Sequence, residues 1–170
     1  KEIGELDYPE FYDIKLTGRC NGNCSYCYQD STFDQNDYNA VDKLTSFFGS
    51  LTENQKPFQI AYGGGEPTVH PDFTKITKLT RDFGIAPNYT TNGMFVNWPF
   101  ELAGQVIEAT KKYCEGVAIT CHPHLYDYWS IAADAFIEEG VFTNFHNLIS
   151  DKDSVDEFMK IFDIWKEGIK

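Results

Sequence analysis

Strand-like and helix-like segments alternate five times along these 170 residues, and no other feature restricts the fold as strongly. Phe11 to Leu16 alternates and is rich in β-formers, and a polar, cysteine-rich loop separates it from a helix over Ala40 to Leu51. Phe58 to Tyr62 reads as a second strand running into Gly63-Gly64-Gly65, followed by a helix from His70-Pro71-Asp72 to Phe83, with Asp72 as its expected N-cap. The third pair is Asn88 to Thr91 and Glu101 to Tyr113, the fourth Gly116 to Cys121 and Tyr126 to Glu139. The fifth is Val141 to Ile149 and Asp153 to Lys166. Regular alternation of this kind predicts an α/β fold with a parallel sheet covered by helices. Right-handed crossovers then allow an open doubly wound sheet or a curled barrel, and periodicity does not choose between them.

In either architecture ligands gather at the C-terminal ends of the strands. The chemically unusual residues sit at those ends: Cys20 to Cys27, Gly63 to Pro67, Thr91-Asn92-Gly93, Thr120 to His124, and Asn144 to His146 within the fifth strand. A net charge of −12 argues against a general nucleic-acid binder, because phosphate backbones demand Lys and Arg. No apolar run approaches the roughly 20 residues of a membrane span. The N-terminal stretch lacks the basic start and apolar stretch of a signal peptide, so a cytoplasmic location is expected. One domain over residues 1–170 fits the length.

Five cysteines, an odd number, argue against a simple disulfide framework. Cys20, Cys24 and Cys27 have the spacing C-x3-C-x2-C, whereas Cys114 and Cys121 stand alone. Three thiolates within eight residues can wrap a compact inorganic core. A [4Fe–4S] cluster usually takes four thiolates, so three would leave one iron open to a non-protein ligand. A zinc site of three Cys and one distant His is the competing reading of the same spacing.

The C-x3-C-x2-C loop with aromatic Tyr26 before its last cysteine, Gly64-Gly65-Glu66-Pro67 after the second strand, and Thr91-Asn92-Gly93 after the third together resemble the radical S-adenosylmethionine (SAM) superfamily. The resemblance runs from about Phe11 to about Ile149. It implies a partial (β/α) barrel in which Cys20, Cys24 and Cys27 bind three irons of a [4Fe–4S] cluster. SAM chelates the fourth iron and is cleaved reductively to a 5′-deoxyadenosyl radical that abstracts hydrogen from a substrate, small molecule or peptide. It implies an external electron-donor protein. Glu66, with Gly64 and Gly65, is expected at the SAM amino group, and Tyr26, Thr91, Asn92, Thr120, Asn144 and His146 are further expected contacts.

Alternation puts Ala118, Thr120 and His122 on the inner face of the fourth strand and Val117, Ile119 and Cys121 on the helix side. His122 is a candidate contact for SAM or substrate. Cys121 is expected to be a buried thiol, or a hydrogen donor to a substrate radical if alternation breaks at His122-Pro123. Phe142, Asn144 and His146 share one face of the fifth strand. His70 reads as structural, and Phe95, Trp98 and Phe100 as surface or lid packing. The superfamily core resembles six βα units, and five are counted here. Lys166 to Lys170 reads as the approach to a sixth strand, so truncation, an unusually short protein or completion by a partner is expected. The alternatives to the enzyme are a non-catalytic module that binds SAM and cluster, and a zinc-stapled α/β domain.

Overall fold

A computed structural model describes residues 8–168 of the chain. Five parallel strands form one sheet: β1 (Phe11–Thr17), β2 (Gln59–Gly64), β3 (Ala86–Thr91), β4 (Gly116–Thr120) and β5 (Phe142–His146). Between and after them run α1 (Val41–Ser50), α2 (Phe73–Asp82), α3 (Phe100–Tyr113), α4 (Tyr126–Glu138) and α5 (Lys152–Gly168). The strand order is β1-β2-β3-β4-β5. Each crossover therefore moves one strand further in the same direction, and the order never reverses. A doubly wound sheet needs such a reversal, whereas a barrel-type sheet does not. The sheet is a partial barrel, which settles the choice that periodicity leaves open.

Crossovers of one hand in one direction put the helices on one side of the sheet. Burial alternates accordingly: Leu16, Ile60, Tyr62, Tyr89, Val117 and Ile119 are fully buried against the helices. The helices answer with Phe48, Ile76, Val106, Ala132, Ala133 and Phe136. On the opposite face Ala61, Asn88, Gly116 and Phe142 lie side by side in register, followed by Thr90, Ala118 and Asn144. That inner face is largely small and polar, and it stays open because the barrel does not close among the described residues.

Several boundaries differ from expectation. β3 begins at Ala86, so Pro87 lies inside a central strand. Pairing with β4 starts only at Asn88, and the Ala86 N–H bonds toward β2 at Phe58 O (3.1 Å), so the N–H that proline lacks is not required. β5 ends at His146 rather than Ile149, with Leu148 and Ile149 exposed beyond it. Asp72 makes no side-chain cap to α2. Phe95, expected at the surface, is fully buried beside Phe136 (5.6 Å between rings), whereas Phe100 is exposed. α5 holds the segment expected to lead into a sixth strand as far as Gly168; Ile169 and Lys170 lie outside the described residues, as do residues 1–7 of the stretch read for a leader. Trp165 anchors α5 against Phe145 of β5 (4.9 Å) and Trp129 of α4 (6.3 Å).

The ends of β1 and β2 are clamped backbone to backbone. The Gly65 N–H donates to Thr17 O (2.7 Å) and the Glu66 N–H to Arg19 O (2.9 Å). A Cβ on Gly65 would meet Arg19 O at 2.1 Å, and Gly64 has a φ of +111°. These glycines are expected beside a ligand, and the chain's own backbone at the root of the cysteine loop also approaches them closely. Gly65→Ala should therefore lower stability by about 1–3 kcal/mol. Gly104→Ala, in α3 with nothing within 4 Å of the added methyl, should raise it by about 0.5–1 kcal/mol. Urea unfolding midpoints of the two variants check both signs.

Candidate functional site

The loop after β1 carries Cys20, Cys24 and Cys27. Its turns are closed by Cys27 N–H to Cys24 O (3.2 Å) and Asp30 N–H to Cys27 O (3.1 Å), and Asn23 and Asp30 adopt positive φ. Short polar side chains tolerate that conformation. The loop is tied to its own exit by Cys20 N–H to Thr32 O (3.0 Å). Nitrogen atoms approach all three sulfurs: the Gly22 N–H at 3.3 Å from Cys20 Sγ, the Ser31 N–H at 3.4 Å from Cys27 Sγ, and His122 Nε2 at 3.6 Å from Cys24 Sγ. Burial pushes the Cys20 thiol up to about 11 and raises that of Cys24. Burial also acts upward on Cys27, but the N–H groups of Ser31, Gln29 and Asp30 outweigh it and bring that thiol below its ordinary value.

These residues fit a cluster. Thiolates are the soft ligands that iron–sulfur centres take. The Ser31 hydroxyl is buried without a protein partner, which ordinarily costs about 1–3 kcal/mol. Beside Cys27 it has a place to donate once that thiolate holds metal.

At the ends of β2 and β3, three residues expected at a ligand are also bonded to one another. Glu66 is 2% exposed, and four donors reach its carboxylate. Oε1 accepts from Thr68 N–H (3.2 Å), Thr68 Oγ1 (2.7 Å) and Thr91 Oγ1 (2.8 Å), and Oε2 from Asn92 N–H (2.8 Å). Burial raises this carboxyl's pKa and the donors pull it back. These four bonds tie the Glu66 carboxylate to the residues that follow β2 and to the end of β3. Thr91 Oγ1 donates to Glu66 and accepts from the Gly93 N–H (3.1 Å). Asn92 is used by Met94 N–H on Oδ1 (2.9 Å) and by Asn21 Oδ1, to which its Nδ2 donates (2.9 Å). That last bond joins the third strand's end to the cysteine loop, and nothing in the spacing of either motif announces it. His70 is structural as expected: it is 3% exposed, its Nε2–H donates to Asn39 O (3.0 Å), and its Nδ1 accepts from Asp72 N–H.

Other expected contacts remain free. Thr120 and His146 are neighbours across β4 and β5, with Ala118 and Asn144 one layer below. Asn144 and His146 are exposed on the inner face, not in the buried network that a core strand would need. Tyr26 is 49% exposed, with its hydroxyl 2.9 Å from His122 Nδ1. Burial, with His124 adding to it, holds His122 below its ordinary pKa. Cys121 follows the alternation: it is 2% exposed among core residues, its thiol 3.7 Å from Ile119 O, so no substrate-facing thiol arises from it. From the segment after His122, Trp129 is fully buried and its indole N–H donates to His122 O (3.1 Å). Cavities of about 550 and 210 Å³ lie between α2 and α3 and near His70, away from the cysteines. The site is an open face at the strand ends.

A Methanocaldococcus jannaschii protein named for glycyl-radical enzyme activation is 35% identical over 81 residues, covering 48% of this chain. The mycofactocin maturase MftC of Mycobacterium ulcerans is 29% identical over 92 residues, covering 54% of it. The chain spans 31% and 25% of the length of these two relatives. Streptococcus suis SuiB, solved with its precursor peptide SuiA, superposes on 94% of this chain and is itself covered to 38%, with a TM-score of 0.72 at 16% identity, and shares the fold. No helix among the described residues is long and apolar enough to cross a membrane. The family model of the Radical SAM superfamily matches residues 14–170, and the chain belongs to that superfamily, whose members work with a [4Fe–4S] cluster and S-adenosylmethionine.

Proposed function

We propose that this chain is the radical-generating part of an enzyme, with Cys20, Cys24 and Cys27 holding the cluster and SAM bound beside it on the open inner face. The observation that carries this reading is a loop of three thiols at the C-terminal end of β1, each sulfur approached by nitrogen. When bound, the reduced cluster supplies the electron that cleaves SAM to methionine and a 5′-deoxyadenosyl radical, which takes a hydrogen atom from substrate. The chain's residues hold and orient. Three cysteines on a four-iron core leave one iron without a protein ligand, open to the amino and carboxylate groups of SAM. Thr120, Asn144 and His146 offer free polar groups on the inner face, and exposed Tyr26 offers an aromatic surface next to the cluster.

Glu66 serves this site indirectly. Its four bonds fix the ends of β2 and β3, and the Asn92–Asn21 bond passes that position to the cysteine loop. A single-zinc reading has less support, because the three cysteines lie within the residues that match the Radical SAM superfamily. The substrate is a hydrogen-atom donor presented to the strand ends. The electron comes from an external donor protein, and a reducing cytoplasm suits the free thiols.

The direct test is anaerobic reconstitution with iron and sulfide, reduction, and incubation with SAM. The chain should release 5′-deoxyadenosine, and Cys27→Ala should reduce it to background. A four-iron protein that leaves SAM intact would overturn the radical reading. Glu66→Ala orphans four donors and should cost about 3 kcal/mol or more in urea unfolding. Glu66→Gln keeps one oxygen and turns an amide toward a donor, so about 1–3 kcal/mol is expected. Equal stability of Glu66→Ala and the parent protein would contradict the internal role.

A further inference from the structure

We propose that His122 donates an N–H hydrogen bond to the Cys24 thiolate and thereby sets the reduction potential of the cluster from the loop after β4. The inference rests on the assignment of Cys20, Cys24 and Cys27 as cluster ligands. Two of the three sulfurs take their donors from the cysteine loop's own backbone, Gly22 and Ser31. The third has a side chain that arrives from 98 residues away, with Nε2 at 3.6 Å from Cys24 Sγ.

The second ring nitrogen decides what the first one does. Tyr26 places its hydroxyl 2.9 Å from His122 Nδ1. In a neutral imidazole one nitrogen donates and the other accepts. A metal-bound thiolate has no S–H to offer, so a bare Nε2 would set two lone-pair atoms against each other. The arrangement without that clash has the phenol donating to Nδ1 and Nε2–H pointing at sulfur. The backbone of His122 is fixed as well: its carbonyl accepts from the buried Trp129 indole (3.1 Å) and from Leu125 N–H (2.9 Å), and its N–H reaches Thr120 O (3.0 Å). Stacking on His124 (5.5 Å between rings) braces the imidazole from another side.

Hydrogen bonds to cluster sulfurs draw off negative charge and favour the reduced state, which raises the potential. His122 is thus a positioning and tuning residue, with Tyr26 fixing its tautomer. It needs no contact with substrate.

The test is a redox titration of the reconstituted chain, monitored by electron paramagnetic resonance without SAM, alongside iron counts. His122→Phe should hold four irons with a more negative midpoint potential. His122→Gln, whose amide N–H replaces Nε2–H, should recover most of that shift. Tyr26→Phe should give a smaller negative shift. An unshifted potential in His122→Phe at full iron content overturns the inference while leaving the cluster assignment intact. If His122→Phe does not load, Tyr26→Phe decides, and an unshifted potential there overturns it. A parent protein that takes up no four-iron cluster overturns the underlying assignment, and this inference with it.

Discussion

The carboxylate of Glu66 is the joint on which the strand ends depend. A buried carboxylate is expensive in a low-dielectric interior and persists only when donors surround it. Here the donors come from two places: Thr68 just after Glu66 itself, and Thr91 and Asn92 at the end of β3. The backbone of the same residue bonds Arg19, at the start of the cysteine loop. One side chain and its own amide thus lock three strand ends to one another. Asn92 carries the lock onward to Asn21, between Cys20 and Cys24. Rigid support of this kind is what a multi-metal core needs, because its ligands must be held at fixed separations before the metal arrives.

Strand order does the rest. Successive strands lie side by side without reversal, so the helices occupy one face and leave the other to the site. Residues that would be polar intrusions in a closed core, such as Asn144 and His146, sit without penalty on this open face. A second constraint follows from the width of the sheet. β5 is an edge among the described residues, and α5 protects only its helix side, through Trp165, Phe162 and Phe145.

Much of this was legible in the residues. The five strand–helix pairs, the burial of Cys121 and the inward alternation of Thr120, Asn144 and His146 follow from local periodicity, which needs no knowledge of neighbours. The exact strand ends did not follow. Pro87 hid the start of β3, because its tolerance depends on where β4 begins, and that is a property of the register. Phe95 read as surface because an aromatic after a turn carries no period, whereas its burial depends on α4 across the fold. The motifs marked which residues gather at the strand ends but not what they touch. Glu66, Thr91 and Asn92 are polar residues at a functional end, and the resemblance places them at a ligand; their bonds to one another depend on the lateral pairing of β2 with β3, which no motif carries. The His122–Cys24 and Asn92–Asn21 contacts link residues far apart in the chain, so no spacing rule could have found them.

The central claim is a four-iron core held by three cysteines with one iron left to SAM. Mössbauer spectroscopy of the chain reconstituted with 57Fe tests it most directly. The account predicts a [4Fe–4S] spectrum in which one iron site changes on adding SAM while the other three do not. A cluster whose four irons all ignore SAM, or a protein that binds a single zinc and no iron, would contradict it.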